Sequence, residues 1–232
     1  MAEDKQMTII EHLEELRGRL IKSAIALAVT TLISFAFTKQ FLEILIAPMG
    51  DTPPVSASPT TTIVVFTKVA LISGLALAMP VLIYQLISFI TPGLTAQERR
   101  YLYLVLPGAT LSFIVGGAFA YFVMLPTAIP FLKGFLSDII QPNWFIDKYI
   151  SFITSLLFWV GLSFETPLVI FFLSKLGIVK PATLSRYRKY AILVVAVIAA
   201  VITPTPDPFN MVLVMAPLIL LYEIGILLAR LA

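Results

Sequence analysis

The chain has 232 residues, 59% of them hydrophobic and only 12% charged, with a net charge of +3 and a mean hydropathy of +0.98. Soluble domains carry about 25% charged residues, so this composition excludes a soluble globular protein and points to an integral membrane protein. With no cysteine and a single histidine, His12, disulfide and thiolate chemistry are excluded, and no histidine cluster is available to a metal.

The N-terminal segment opens on a T-x-x-E capping box, Thr8 and Glu11, with Ile9, Leu13, Leu16 and Leu20 at helical spacing on one face. Glu11, Glu14, Glu15, Arg17, Arg19 and Lys22 fill the other faces, so an amphipathic helix at the membrane interface is expected. Three carboxylates are an unusual choice beside an anionic leaflet, where lysine is favoured. Glu15 and Arg19 are spaced to pair at i,i+4. A remaining carboxylate would suit a basic ligand; a solvated charged face is the alternative. The first apolar run, 20–37, follows about twenty mostly polar residues and has no small-residue cleavage site behind it, so no cleavable signal peptide is expected.

A loop over 38–65 comes next. Pro48, Pro53, Pro54 and Pro59 stand among serines and threonines, which precludes a regular helix at its centre. Before them, 39–46 reads as a short amphipathic helix with Phe41, Leu42, Leu45 and Ile46 on its apolar side, an interfacial cap over the bundle. The second run, 66–90, contains Pro80. A tight loop over 91–100 follows, with Glu98 as its one acid. Glu98 is either an early-turn acid favouring the helix dipole behind an N-cap at Thr95 or a ligand for a cation.

The third run, 102–125, holds Gly116 and Gly117 and ends at Pro126. The fourth, 150–173, carries Glu165 within ~4–5 Å of the midplane of a bilayer, at ~1.5 Å per residue. Insertion of an acid there costs ~2.5–3.5 kcal/mol, which makes it a functional candidate by default; a protonated glutamate satisfied inside the bundle is the structural alternative. Pro167 removes a backbone donor and is expected to bend this span. The fifth run, 190–202, has thirteen residues, only ~20 Å of helix, and reads as a short span that thins the membrane. The sixth, 211–228, contains Pro217 and Glu223, the latter expected to pair with a basic group such as Arg230. The six runs make a single polytopic domain over 1–232. Twelve of the sixteen basic residues then fall on the side of the termini, and Lys39, Lys68, Lys133 and Lys148 on the other. The positive-inside rule places both termini in the cytoplasm.

Several strings resemble the twin-arginine translocase TatC family, in family order and along the whole chain. They are His12-Leu-Glu-Glu-Leu-Arg-Gly-Arg-Leu20, Pro80-Val-Leu-Ile-Tyr-Gln-Leu-Ile-Ser-Phe-Ile-Thr-Pro-Gly-Leu94 with Glu98-Arg-Arg100, and Gly117-Ala-Phe-Ala-Tyr-Phe122 with Leu125-Pro126. Ser163-Phe-Glu-Thr-Pro167, Thr203-Pro-Thr-Pro-Asp207 and Leu221-Tyr-Glu-Ile-Gly225 complete the set. The resemblance implies an all-α integral membrane protein of six helices in a concave, glove-like bundle, with short fifth and sixth spans and both termini cytoplasmic. It implies a receptor rather than an enzyme, with no cofactor. Its ligands would be twin-arginine signal peptides of folded cargo. It would sit multi-pass in the cell's inner or plasma membrane, self-associate in the complex, and work with TatA- and TatB-type single-span proteins in export driven by the proton-motive force. Nucleic acid has no part in it. The family's signal-binding acids map onto Glu15 and Glu98, with Arg17 and Phe89 in the same motifs. Glu165 matches an intramembrane polar site that faces the concavity and meets a partner helix. Asp207 and Pro48, in the outer loops, match positions linked to transport.

A small proton-coupled secondary transporter using Glu165 as proton carrier is the rival class, although the two halves show no repeat and a long polar pathway is missing. An intramembrane hydrolase lacks H-E-x-x-H and G-x-S-x-G.

Overall fold

The computed structural model describes residues 9–50, 52–90, 96–139, 143–203 and 207–232. Among them the regular structure is helical, apart from one isolated bridge between Val55 and Phe145. Thr8, the loop at 91–95 with Thr95, and 204–206 lie outside the described residues.

Helix α1 (Ile9–Ile46) is one continuous helix of 38 residues, ~57 Å long. The expected interfacial helix, first span and outer amphipathic helix are therefore segments of a single rod. The reason is the absence of a breaker: no proline precedes Pro48, and the lone Gly18 weakens a helix by only ~1 kcal/mol. The rod stops at a 3-10 turn, Ala47–Met49, which ends on Gly50 with φ +61°, a conformation glycine adopts without steric penalty. Its outer end packs into the bundle: Leu45 and Met49 are buried, with Phe41, Leu42 and Ile46 against the same core. The Tyr121 and Tyr149 hydroxyls donate to the carbonyls of Ile44 and Leu45, at 2.8 and 3.0 Å, satisfying acceptors that a helix C-terminus leaves open.

Helix α2 (Pro59–Ile90) starts with proline at its first position, and the Thr61 N–H donates to Ser58 Oγ at 3.3 Å, a serine cap followed by Pro at N1. Helix α3 (Ala96–Phe119) runs into a π-helical turn, Ala120–Met124, and then α4 (Leu125–Gly134). The third span thus continues past Pro126, where an end was expected, because the wider π turn absorbs the donor that Pro126 lacks.

The fourth span is broken in two, α5 (Ile146–Ser163) and α6 (Thr166–Lys175). Pro167 has no N–H for the carbonyl of Ser163, four residues back, so the expected bend is a full interruption. Phe164 and Glu165 turn between the halves, their N–H groups donating to Val160, Gly161 and Leu162. After α7 (Pro181–Arg186), α8 (Arg188–Ile202) makes the short fifth span of 15 residues. Helix α9 (Pro208–Ala229) is the sixth; at 22 residues it is long enough to cross, so the sixth span is not the short one expected. It begins earlier than its apolar run because Pro208 starts it and Asp207 caps it. Among the described residues five helical stretches are long and apolar enough to cross a membrane; with α8 they make a six-span, all-α membrane protein.

Small residues set the helix crossings, as membrane packing favours. A Cβ built on Gly74 of α2 would lie 2.6 Å from the Thr31 Cα of α1, and one on Gly225 of α9 would lie 2.7 Å from Ile170 Cδ1 of α6. The packing is uneven along the bundle. The larger core, including Leu45, Val65, Met124, Ile129, Tyr149 and Ile153, sits toward the end away from the termini. Toward the end carrying Glu15 and the C-terminus the described residues form a smaller cluster, Met79, Ile83, Ile87, Ala109 and Phe172. A cavity bordered by Ile83, Ile87, Ala109 and Phe172 opens there.

Candidate functional site

The first site lies where the start of α1 meets the last turns of α2. His12, Glu15 and Arg19 stand on one stripe of α1, three and four residues apart, as helical neighbours do. Glu15 Oε1 accepts from Arg19 Nε at 2.9 Å and from a terminal guanidinium nitrogen at 2.5 Å. This is the i,i+4 pair read from the sequence. The other guanidinium nitrogen reaches Gln85 Oε1 of α2 at 3.5 Å. The pair is mostly covered, with side-chain exposures of 16% for Glu15 and 22% for Arg19.

Glu15 Oε2 is different. It is covered and accepts no hydrogen bond among the described residues. His12 Nδ1 stands 3.8 Å away, beyond hydrogen-bond length. The His12 ring lies flat on Phe89, with centroids 4.4 Å apart and planes at 19°. The structure therefore brings Glu15 and Phe89 together, with His12 between them. An unpaired carboxylate oxygen close to an aromatic face suits a guanidinium, which ion-pairs at its edge and stacks on its plane.

Arg17 points elsewhere: it is exposed and forms no ion pair among the described residues. Glu98 lies in the first turn of α3, and its side chain lies outside the described ones, as does the preceding loop. Sequence reasoning missed His12 and Gln85. For His12 the i,i+3 spacing to Glu15 was the available signal; for Gln85, 66 residues from Arg19, there was no local one.

The second site is Glu165. The break at Pro167 places it at the junction of α5 and α6, where its side chain makes no capping hydrogen bond. Its Oε1 is covered and without a hydrogen-bond partner among the described residues. It borders a cavity of about 210 Å³ lined by Ile83 and Ile87 of α2, Ala109 of α3, and Leu168, Phe172 and Leu176 around α6. A carboxyl group facing an apolar wall is costly unless something polar meets it.

Pro48 and Asp207 belong to the opposite end and to separate arrangements. Pro48 opens the 3-10 turn, which Lys133 of α4 clamps by donating to the Met49 carbonyl and, at 3.1 Å, to Thr52 Oγ1. Asp207 caps α9: Oδ1 accepts from the Asn210 N–H and Oδ2 from the Asn210 side-chain amide, both at 2.8 Å. Glu223 pairs with Arg188 at 2.7 Å and not with Arg230, which lies seven residues along the same helix, ~10 Å away. Among the described residues no group of acids and histidines could hold a metal ion.

The family model described as "TatC: Sec-independent protein translocase protein (TatC)" matches residues 11–217. The Sec-independent protein translocase protein TatC of Carboxydothermus hydrogenoformans is 40% identical over 230 residues, covering 98% of this chain and 95% of the relative. That of Aquifex aeolicus is 41% identical over 232 residues, covering 97% and 96%. A crystal structure of the twin-arginine translocase receptor TatC superposes with a TM-score of 0.87 at 41% identity, covering 95% of this chain and 99% of that one.

Proposed function

The chain belongs to the TatC family of Sec-independent protein translocase proteins, and from that premise we propose that it is the receptor subunit of a twin-arginine translocase. It recognises the paired arginines of signal peptides on folded cargo at its cytoplasmic face. It sits in the inner or plasma membrane with both termini in the cytoplasm, in keeping with the twelve basic residues on that side. TatA- and TatB-type single-span proteins are its partners in a multi-copy complex, and the proton-motive force drives export.

The observation that carries this reading is Glu15. One of its oxygens is engaged by Arg19, and the other is covered and unpaired behind His12, whose ring stacks on Phe89. One guanidinium of the tag takes Glu15 Oε2 and the face of Phe89, and Glu98 takes the second. Exposed ion pairs contribute only about 0–1 kcal/mol apiece; simultaneous engagement and partial burial supply the rest. Arg17, on the outer face of α1, orients the signal's approach. Glu165 is the polar point at the apolar cavity that meets a partner helix. Pro48 and Asp207 act through the shape of the outer end.

The test is equilibrium binding of a fluorescent twin-arginine signal peptide to the purified protein. Replacing both Glu15 and Glu98 by alanine abolishes capture, and an Arg-Arg to Lys-Lys change in the peptide weakens it strongly. Equal affinity for the two peptides would defeat the receptor reading. The rival, proton-coupled transport of a small solute through Glu165, has no specific observation in its favour.

A further inference from the structure

Resting on the receptor reading, we infer that His12 is a built-in placeholder for one arginine of the tag and sets how strictly the site demands a guanidinium. Its ring already occupies the position that an incoming guanidinium takes. It is a flat, nitrogen-bearing group lying on Phe89, with centroids 4.4 Å apart and planes at 19°, inside the ~6 Å range over which a cation engages an aromatic face. Its Nδ1 is turned to the unpaired Glu15 oxygen at 3.8 Å. That distance is too long for a hydrogen bond, so the contact shields the oxygen without satisfying it. Glu15 Oε2 is covered while accepting nothing among the described residues.

Arg19 does not fill this role. Its fork is committed to the other Glu15 oxygen and to Gln85. His12 has room to leave, since 47% of its side chain is exposed and the ring can swing outward from α1 into water. Any cation that reaches Glu15 Oε2 must first displace the ring and lose its stacking on Phe89. A guanidinium restores both contacts, because it is planar and stacks while its edge donates. An ammonium is a compact point charge that restores the ion pair but not the flat stacking. The placeholder thus lowers the affinity for every cation and penalises lysine more than arginine.

The experiment measures binding of Arg-Arg and Lys-Lys signal peptides to the purified full chain and to three variants. His12→Ala and His12→Gln both remove the competitor, and each binds the Arg-Arg peptide about three- to tenfold more tightly, the worth of one ring contact. The same variants show a smaller ratio between the two peptides. His12→Arg installs a permanent competitor and binds at least several-fold more weakly than wild type. The two ring-removing variants differ in polarity, so misfolding of one leaves the other as the test. A His12 that only supports the helix pair gives weaker or unchanged binding in both, and that result overturns the placeholder. Unchanged affinity in His12→Arg overturns it as well. These failures are separable from failure of the receptor reading, in which the wild-type chain itself binds the Arg-Arg and Lys-Lys peptides alike.

Discussion

Gly116 of α3 and Gly161 of α5 meet backbone to backbone: a Cβ added at Gly116 would stand 2.8 Å from the Gly161 Cα and 2.8 Å from the Phe164 ring. Neither neighbour can yield, since one is main chain and the other begins the turn that breaks the fourth span. Gly116→Val therefore forces the two helices apart and destabilises the fold by about 1–3 kcal/mol. Gly117, one residue on, has open space around the same construction. Gly117→Ala is expected to be as stable as wild type or more stable by up to about 1 kcal/mol. Thermal unfolding of the two purified variants in detergent gives the comparison, and equal stabilities would show that the crossing is looser than described.

Glu165 combines a covered oxygen that accepts no hydrogen bond among the described residues with an apolar surround. Removing such a group relieves a desolvation penalty. Glu165→Leu should therefore unfold no earlier than wild type, and later if the cavity fills well. On the proposed role it binds the signal peptide with wild-type affinity yet loses cargo export and cross-linking to a single-span partner. Normal export by a stable Glu165→Leu protein would remove this residue from the transport pathway.

Lys133 ties α4 to the turn that ends α1, donating to the Met49 carbonyl and to Thr52. Lys133→Met leaves that carbonyl without its cationic donor, a loss of about 1–3 kcal/mol. Backbone amides around 47–55 should exchange with deuterium faster than in wild type, while those in the interior of α5 keep their protection. Unchanged exchange around Met49 would mean that Pro48 and Gly50 hold the turn alone.

Asp207 separates structure from charge at the outer end. Asp207→Ala removes the cap of α9, at a cost of about 0.5–2 kcal/mol. Asp207→Ser keeps a capping oxygen and should recover most of that stability. If export follows stability across the pair, the role of Asp207 is to start α9. If Asp207→Ser is stable but inactive, the carboxylate itself is required.

Local rules made much of this architecture readable in advance. The first four apolar runs announced themselves by length, the Glu15–Arg19 pair by its four-residue spacing, and a bend in the fourth span by Pro167. What local rules could not supply were relations across distance. Nothing near His12 indicates Phe89, 77 positions later, and nothing in α9 indicates that Glu223 prefers Arg188 to Arg230. Three amphipathic or apolar stretches of α1 read as separate helices because their hydrophobic faces differ. The backbone, lacking any breaker before Pro48, ignores that distinction. The third span extended past Pro126 for the opposite reason: a π turn, which no residue spacing announces, accommodated the proline.

The lopsided core has a mechanical corollary. Among the described residues the helices are clasped at one rim and more sparsely joined at the other, like fingers bound at the knuckles. A push at the fingertips spreads them with little resistance, whereas the knuckles yield only when the whole hand unravels. Local opening follows the scarcity of buried apolar contacts, so proton–deuterium exchange should climb from the rim around Tyr149 toward the tips around Ile87 and Phe172.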